Sequence, residues 1–413
     1  MQQAQKRYTD STIKTEIDAS PERPRVRLWN ANYTRVWISS FMLYFSFMLL
    51  MPLFPLYLRD TFGADKETIG WVLSGYTVCA MMVRPLSGFL VDSFKRKIVL
   101  IVCYTLVTLF FVGYLAAGSL MLFTLLRTLH GGPFGATTVA TTTVAIDVLH
   151  PTRRAEGIGY FGLANNFATA FSPMIAVLLL RTFSSYDLLF WVSIVSSTIG
   201  LIVSIGVKVD ERAPNTSHHV LSLDRFLLLQ AWKESLCMIC YSLSYGILST
   251  YLAIYGEEEL GIEGGTGLFF MLLAGGLALS RITGARGLRR GQVYRNATEG
   301  VLVSLVGYLM FASIHHPIGF YGAALVIGLG NGHMYPAFQN MFVDIAPNSK
   351  RGTAMSTLLT SWDLGVGLGV LLGGIIAETH GYHAAFWVMW IINLIGVAGY
   401  LYIAWQKTME KAK

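Results

Sequence analysis

Residues 354–377 read "AMSTLLTSWDLGVGLGVLLGGIIA", and this stretch decides the fold class. Nearly all of its residues are apolar or small, and its only charge is Asp363, the tenth of its 24 residues. A helix of this length rises by about 36 Å, which exceeds the hydrocarbon thickness of a bilayer, about 30 Å. The stretch therefore predicts a membrane-spanning helix that carries one carboxylate near the bilayer centre.

The whole chain is too apolar for a soluble protein of its size. Of its 413 residues, 54% are hydrophobic and only 13% are charged, and the mean hydropathy is +0.52. A soluble domain carries about 25% charged residues. We therefore predict an all-α membrane protein that crosses the bilayer many times.

Twelve membrane-spanning helices are predicted. They cover about 34–57, 68–91, 97–117, 120–145, 155–180, 187–207, 229–255, 266–287, 298–314, 318–343, 353–377 and 384–405. The longest internal polar break, residues 208–228, is predicted to be a cytoplasmic linker. It separates two six-helix bundles, 34–207 and 229–405, and the tails are 1–33 and 406–413.

Lys and Arg concentrate on one side of this topology. With the amino terminus inside, the outer loops hold Arg59, Lys66 and Arg181, and Arg127 lies inside a span. That leaves 27 of the 31 basic residues for the tails, the inner loops and the adjoining helix ends. Because basic residues collect on the cytoplasmic side, both termini are predicted to be cytoplasmic. The net charge of +7 follows from this bias and indicates no nucleic-acid partner.

Short motifs recur between the two predicted bundles. Asp147 and Arg154 match Asp344 and Arg351, both at an offset of 197 residues. The pattern predicts two pseudo-symmetric copies of one six-helix unit. Duplicated halves are a construction of secondary transporters, whose substrate site lies between the halves near the membrane midplane.

The polar segment after the second span, "GFLVDSFKRK", begins at Gly88. Gly88, Asp92, Arg96 and Lys97 match the pattern G-x-x-x-D-R-x-G-R-R, and the fourth span carries Arg127 ahead of glycines in "LLRTLHGGPFGA". On these motifs the chain resembles the major facilitator superfamily over essentially its whole length. It is similar in particular to twelve-helix drug:proton antiporters and related exporters.

The resemblance implies a latch at Gly88, Asp92, Arg96 and Lys97. In the family, this charge-relay motif helps to hold the cytoplasmic side closed while the transporter faces outward. Physically, the Asp92 carboxylate can accept hydrogen bonds from backbone N–H groups at the start of a neighbouring helix. The alternative is a topology anchor made of basic residues, which we favour for Lys97.

Asp363 is the first candidate for proton coupling. A charge at the bilayer centre costs about 2.5–3.5 kcal/mol on insertion scales, so such a residue faces the bundle interior and is usually functional. Burial disfavours the charged form, which prepares the carboxylate to gain and lose a proton. The repeat offset of 197 matches Asp363 to the polar Asn166. The alternative is a buried carboxylate that caps or hydrogen-bonds a neighbouring helix.

Arg127 and His333 are two further candidates for proton coupling. The resemblance implies a role in proton movement for Arg127, and the alternative is that its side chain extends to the outer membrane surface. An imidazole such as that of His333 titrates near pH 6.5. The alternative for His333 is a hydrogen-bonded structural role.

A substrate cavity with aromatic walls is also predicted. Tyr335 and Gln339 are four residues apart and therefore share one face of a helix. Tyr44, Asn166 and Trp362 complete the set of candidates. For each aromatic residue, ordinary packing is the alternative.

Together these features predict a proton-coupled exporter of a small amphipathic molecule that works by alternating access in a bacterial-type inner membrane. Its predicted partners are the substrate, protons and lipid, and one chain can act alone. We expect no enzyme activity, cofactor or metal site, since no nucleophile–base or ligand set is visible. The alternatives are a proton-coupled importer of a sugar-like or organic-acid nutrient, an uncoupled facilitator and a non-transporting membrane sensor.

Overall fold

The computed structural model describes residues 27–51, 53–64, 66–209, 226–262 and 266–412. These ranges form a helical bundle without strands. Its helices are α1 (Ala31–Leu50), α2 (Phe54–Phe62), α3 (Lys66–Ser93), α4 (Arg96–Leu115), α5 (Leu120–Asp147), α6 (Arg154–Phe183), α7 (Tyr186–Ile205), α8 (Trp232–Glu258), α9 (Thr266–Arg289), α10 (Val293–Ser313), α11 (Pro317–Ile345) and α12 (Arg351–Ala412). Most of the predicted amino-terminal tail and of the predicted linker lies outside the described residues.

Three of the predicted spans differ in detail from the helices observed. The first predicted span corresponds to α1 and α2, which meet at a bend of 43°. The last two correspond to α12, which changes direction at Gly381 (φ 83°, ψ 167°). A positive φ of this kind favours glycine, which has no Cβ to clash with the backbone. Counted in this way, the described helices supply the twelve predicted spans, and the predicted fold class is confirmed.

The described helices differ in apolarity. Six of them are long and apolar enough to cross a membrane on length and composition alone, or seven if α1 and α2 form one bent span. Among the others, α5 carries polar groups that point inward: Arg127, His130 and several threonines are buried.

The outer surface of the bundle is apolar and suits contact with lipid. Large side chains such as Trp71, Met121, Ile282 and Ile318 are more than two-thirds exposed. Many serine, threonine and asparagine side chains are buried instead. This distribution satisfies polar groups within the protein, as the hydrocarbon core of a membrane requires.

Glycines on α12 allow it to pack closely against α8. A Cβ placed on Gly365 or Gly369 would collide with the backbone of Ile239 or Leu243, respectively. A Cβ on Gly373 would lie 2.7 Å from the Tyr251 ring. Small residues at this spacing let two membrane helices approach closely, so side-chain volume sets the distance between α8 and α12.

This packing gives a matched pair of substitutions on one helix. Gly369→Ala should destabilise the fold by about 1–3 kcal/mol, the usual cost of overpacking, because the Leu243 carbonyl leaves no room for the methyl group. Gly367→Ala should be neutral or slightly stabilising, since nothing lies within 4 Å of its Cβ position. Thermal unfolding in detergent measures both. Equal losses of thermal stability in the two variants would contradict the close packing of α8 against α12.

Candidate functional site

An ion pair joins α3 and α12 inside the membrane-embedded part of the bundle. Arg84 Nε lies 2.9 Å from Asp363 Oδ2, and the two side chains are 11% and 20% exposed. The N–H of Arg84 is not aligned with the carboxylate, so the contact is an ion pair rather than a hydrogen bond. Removing one partner of a buried pair typically costs about 3–5 kcal/mol. The pair therefore makes the contact between the two predicted halves sensitive to charge.

The sequence prediction that Arg127 alone lies deep in a span was wrong. Arg84 in α3 and Arg281 in α9 are also buried, at 9% and 7% exposure. On the sequence alone, both count among the basic residues of the cytoplasmic helix ends. Their spacing of 197 residues, the repeat offset, was a signal that could have identified them as a matched pair.

Three of the predicted cavity residues lie around this ion pair. The Tyr335 and Trp362 rings meet edge to face with centroids 5.3 Å apart, and Tyr44 packs in the same manner on Phe134 at 5.8 Å. Tyr44 and Tyr335 are both within electrostatic reach of Arg84 and Asp363. Tyr44, Tyr335 and Trp362 are half-buried.

The other two predicted cavity residues lie elsewhere. Gln339 is buried, and its Nε2 lies 3.7 Å from Met355 Sδ, so it fills the contact between α11 and α12. Helical spacing placed Gln339 on the face of Tyr335 but could not show which part of that face another helix covers. Asn166 is half-buried in α6, which lies in the other predicted half from Asp363.

One end of the bundle, which we call the Asp92 end, is closed by hydrogen bonds between α3 and α12. The Asp92 carboxylate accepts from the backbone N–H groups of Gly352 at 2.8 Å and Thr353 at 2.7 Å, and from the Thr353 hydroxyl at 2.9 Å. Arg96 Nη2 also donates to Asp92, at 3.1 Å. Asp92 thus satisfies free N–H groups in the first turn of α12, as the sequence led us to expect.

Asp147 at the end of α5 adds a second connection at this end. It accepts from Arg96 and, at 2.8 Å, from Arg351 Nη1. Arg96 also donates to the Asn348 carbonyl at 3.2 Å. Sequence reasoning identified Asp147 only as a repeat position. Lys97 is half-buried and does not belong to this network, which agrees with the simpler role favoured for it.

Close backbone approach connects the Asp92 end to the ion pair. A Cβ on Gly88 would lie 2.7 Å from Ser356 Cβ and 2.9 Å from Thr353 Cα. One turn deeper, the Ser356 hydroxyl donates to the Arg84 carbonyl. A single contact line along α3 and α12, the α3–α12 seam, therefore contains both the Asp92 hydrogen bonds and the Arg84–Asp363 pair.

Arg127 is fully buried and does not extend to the outer surface. Its guanidinium carbon lies 4.2 Å from the centre of the Tyr76 ring, 4.6 Å from Phe54 and 5.1 Å from Phe47. Its Nη2 contacts Met51 Sδ at 2.9 Å. Among the described residues, no carboxylate pairs with it, so aromatic faces provide its stabilisation.

His333 lies among helices of the second predicted half. Its Nε2 is 2.9 Å from the Thr283 hydroxyl, and its Nδ1 is 2.8 Å from Asn296 Oδ1. With both ring nitrogens hydrogen-bonded, the geometry favours the structural alternative. Within the described part of the chain, no group of three or more His, Cys, Asp or Glu side chains is arranged to hold a metal ion.

A helical membrane protein whose two halves meet around buried charges has the architecture of a secondary transporter. Residues 36–298 and 297–412 match the family model of the Major Facilitator Superfamily. The chain belongs to this superfamily, whose members are transporters and not enzymes.

Individual relatives are distant but span most of the chain. The staphylopine export protein of Staphylococcus aureus is 23% identical over 374 residues, 85% of this chain and 90% of that protein. The maltose permease of Geobacillus stearothermophilus is 25% identical over 375 residues, 88% of this chain and 92% of that protein. The crystal structure of the human organic anion transporter MFSD10 (TETRAN) superposes with a TM-score of 0.79 at 16% identity, covering 90% of this chain and 99% of that one.

Removing the Asp92 carboxylate should loosen the first turn of α12. In Asp92→Ala, the amide hydrogens of Gly352 and Thr353 should exchange about tenfold faster or more, since each loses a hydrogen bond to a charged acceptor. Hydrogen exchange of a peptide covering residues 350–357 measures the change. Lys97→Ala is the matched control and should leave exchange there unaltered. Protection that survives in Asp92→Ala would show that these bonds do not hold the turn.

Proposed function

We propose that the chain is a proton-coupled exporter of a small amphipathic molecule that works by alternating access. The observation that carries the proposal is the Arg84–Asp363 pair, which joins the two predicted halves within the membrane. Ionisable residues at such depth usually serve ion or substrate movement. A proton that binds Asp363 changes the charge at the contact between the halves.

The ion pair supplies a reason for protonation to favour opening. While Asp363 is ionised, it neutralises Arg84 and stabilises the closed Asp92 end. Once Asp363 is protonated, Arg84 is left buried without a counter-ion, which costs about 3–5 kcal/mol in comparable sites. Inverting a two-state population from 1:99 to 99:1 takes about 5.5 kcal/mol, so loss of the pair provides a large part of the switch.

The α3–α12 seam transmits this change to the Asp92 end. The Ser356 hydroxyl bonds to the Arg84 carbonyl, and three residues earlier Thr353 donates to Asp92. Movement of α12 away from α3 therefore breaks the ion pair and the Asp92 hydrogen bonds together. The switch has two states, with this seam either closed or open.

The direction of transport and the orientation in the membrane complete the proposal. We assign the Asp92 end and both termini to the cytoplasm of a bacterial-type inner membrane, because basic residues collect there. The cargo leaves outward while a proton enters, and both use Asp363 in turn. Similarity to the staphylopine export protein supports export.

Proton-coupled import of a sugar-like nutrient is a second candidate. The observation in its favour is the similarity to the maltose permease, which covers 88% of this chain against 85% for the staphylopine export protein. The same charge switch serves an importer if proton and substrate bind together rather than in turn. The direction of proton movement distinguishes the two candidates.

The test uses proteoliposomes that contain a pH-sensitive dye. Gradients of a rhodamine dye, maltose or citrate are imposed on wild type, Asp363→Asn and the control Asp60→Asn, which alters an exposed carboxylate paired with Arg59. Wild type and Asp60→Asn should move protons against the rhodamine flux. Asp363→Asn should still pass dye down its gradient without moving protons.

Two results would contradict the proposal. Proton movement in Asp363→Asn equal to that in wild type would remove Asp363 from the coupling step. Proton movement in the same direction as maltose or citrate would replace export with import.

A further inference from the structure

Buried positive charge exceeds buried negative charge around the predicted cavity. Arg127 lies 4.2 Å from the Tyr76 ring, and the Arg84–Asp363 pair also acts electrostatically on Tyr76. Two guanidinium groups and one carboxylate leave a formal charge of +1. Among the side chains that the structure describes, no further carboxylate contacts either arginine.

Arg84 also has unused hydrogen-bonding capacity. Its Nη1 is buried without a hydrogen-bond partner among the described residues, and its Nε faces Asp363 without alignment. A guanidinium has five donors in a planar fork that suits a carboxylate. A buried donor without an acceptor is costly, so Arg84 is prepared to bind an additional anionic group.

We infer that the transported molecule is a zwitterion, whose anionic group binds Arg84 and whose cationic group binds Asp363. This inference rests on the proposed function, because it assigns the cargo of the same site. A molecule with only a cationic charge would leave the excess positive charge uncompensated. A zwitterion replaces both partners of the ion pair, and its apolar part packs on Tyr335 and Trp362.

The inference also explains why proton and cargo would use Asp363 in turn. The cationic group of the cargo requires the ionised carboxylate, so a proton on Asp363 displaces it. The anionic group remains with Arg84, where it selects the cargo. Arg84 is therefore a specificity-determining residue, separate in role from the proton-binding Asp363.

The test compares two dyes that differ by one charge. The free acid of a rhodamine carries a cationic ring system and a carboxylate, whereas its ethyl ester carries the cation alone. Binding to the purified full-length chain in nanodiscs is measured by fluorescence anisotropy at mildly alkaline pH, without any gradient. Wild type should bind the acid about tenfold more tightly than the ester or better, the size expected for one charge-assisted hydrogen bond.

Substitutions test the roles of Arg84 and Asp363 separately. Arg84→Gln should lose the preference for the acid while its affinity for the ester stays the same, and Arg84→Lys should keep part of the preference. Asp363→Asn should weaken both dyes and keep the preference. Arg281→Gln, at the matching repeat position, is the control and should resemble wild type.

Clear outcomes overturn the inference. Equal binding of the two dyes to wild type, or a preference for the ester, would exclude a zwitterionic cargo. A preference that persists in Arg84→Gln would remove Arg84 from the site. This binding requires no proton gradient. The zwitterion inference can therefore fail while proton coupling holds in proteoliposomes, and proton coupling can fail while the binding preference holds.

Discussion

A carboxylate buried in a membrane protein needs a partner, and this need organises the centre of the molecule. Asp363 lies on α12, and its counter-ion, Arg84, lies on α3 in the other predicted half. Each predicted half thus supplies one member of the pair. The contact between the halves therefore depends on the protonation state of one side chain, which is the physical basis of the transport cycle that we propose.

The closed Asp92 end depends on small residues as much as on charge. Gly88 and Gly352 face each other, and a Cβ on Gly352 would lie 2.8 Å from the Gly88 carbonyl oxygen and 2.9 Å from Asp92 Oδ1. Asp92 can reach the first turn of α12 only because both positions lack side chains. Close packing thus brings a carboxylate onto free N–H groups, and in the cycle that we propose the ion pair deeper in the seam controls whether that packing persists.

The repeat counterparts of Arg84 and Asp363 do not form the same charged pair. Arg281, the repeat counterpart of Arg84, donates from Nη1 to the Gly332 carbonyl at 2.6 Å. Asn166 occupies the position that corresponds to Asp363. A neutral amide cannot change charge with pH, so the charge switch that we propose lies in the α3–α12 seam and not at its repeat counterpart.

Much of this could be predicted from the sequence, and the limits have physical causes. Hydropathy predicted the twelve spans. The resemblance of its motif to the family's latch, together with the preference of a carboxylate for free N–H groups at a helix start, predicted the contacts of Asp92. Arg84 was missed because it lies about two turns from a predicted helix end, where a long basic side chain can still reach the cytoplasmic surface. Gln339 was placed in the cavity because helical spacing gives relative faces, whereas packing decides which face is covered. The pairing of Asp147 with two arginines needs three helix ends to meet, which no local pattern specifies.

The most direct test of the central claim is a distance measurement across the Asp92 end as a function of pH. Spin labels replace the exposed Phe94 and Arg290, in loops of opposite halves, in a chain without native cysteines. The distance in wild type should lengthen as pH falls, because protonation of Asp363 releases Arg84. Asp363→Asn should shift the population toward the long distance and remove the dependence on pH, because loss of the pair supplies only part of the free energy of the switch. A variant that keeps the short distance, with the same pH dependence as wild type, would contradict the role of the ion pair.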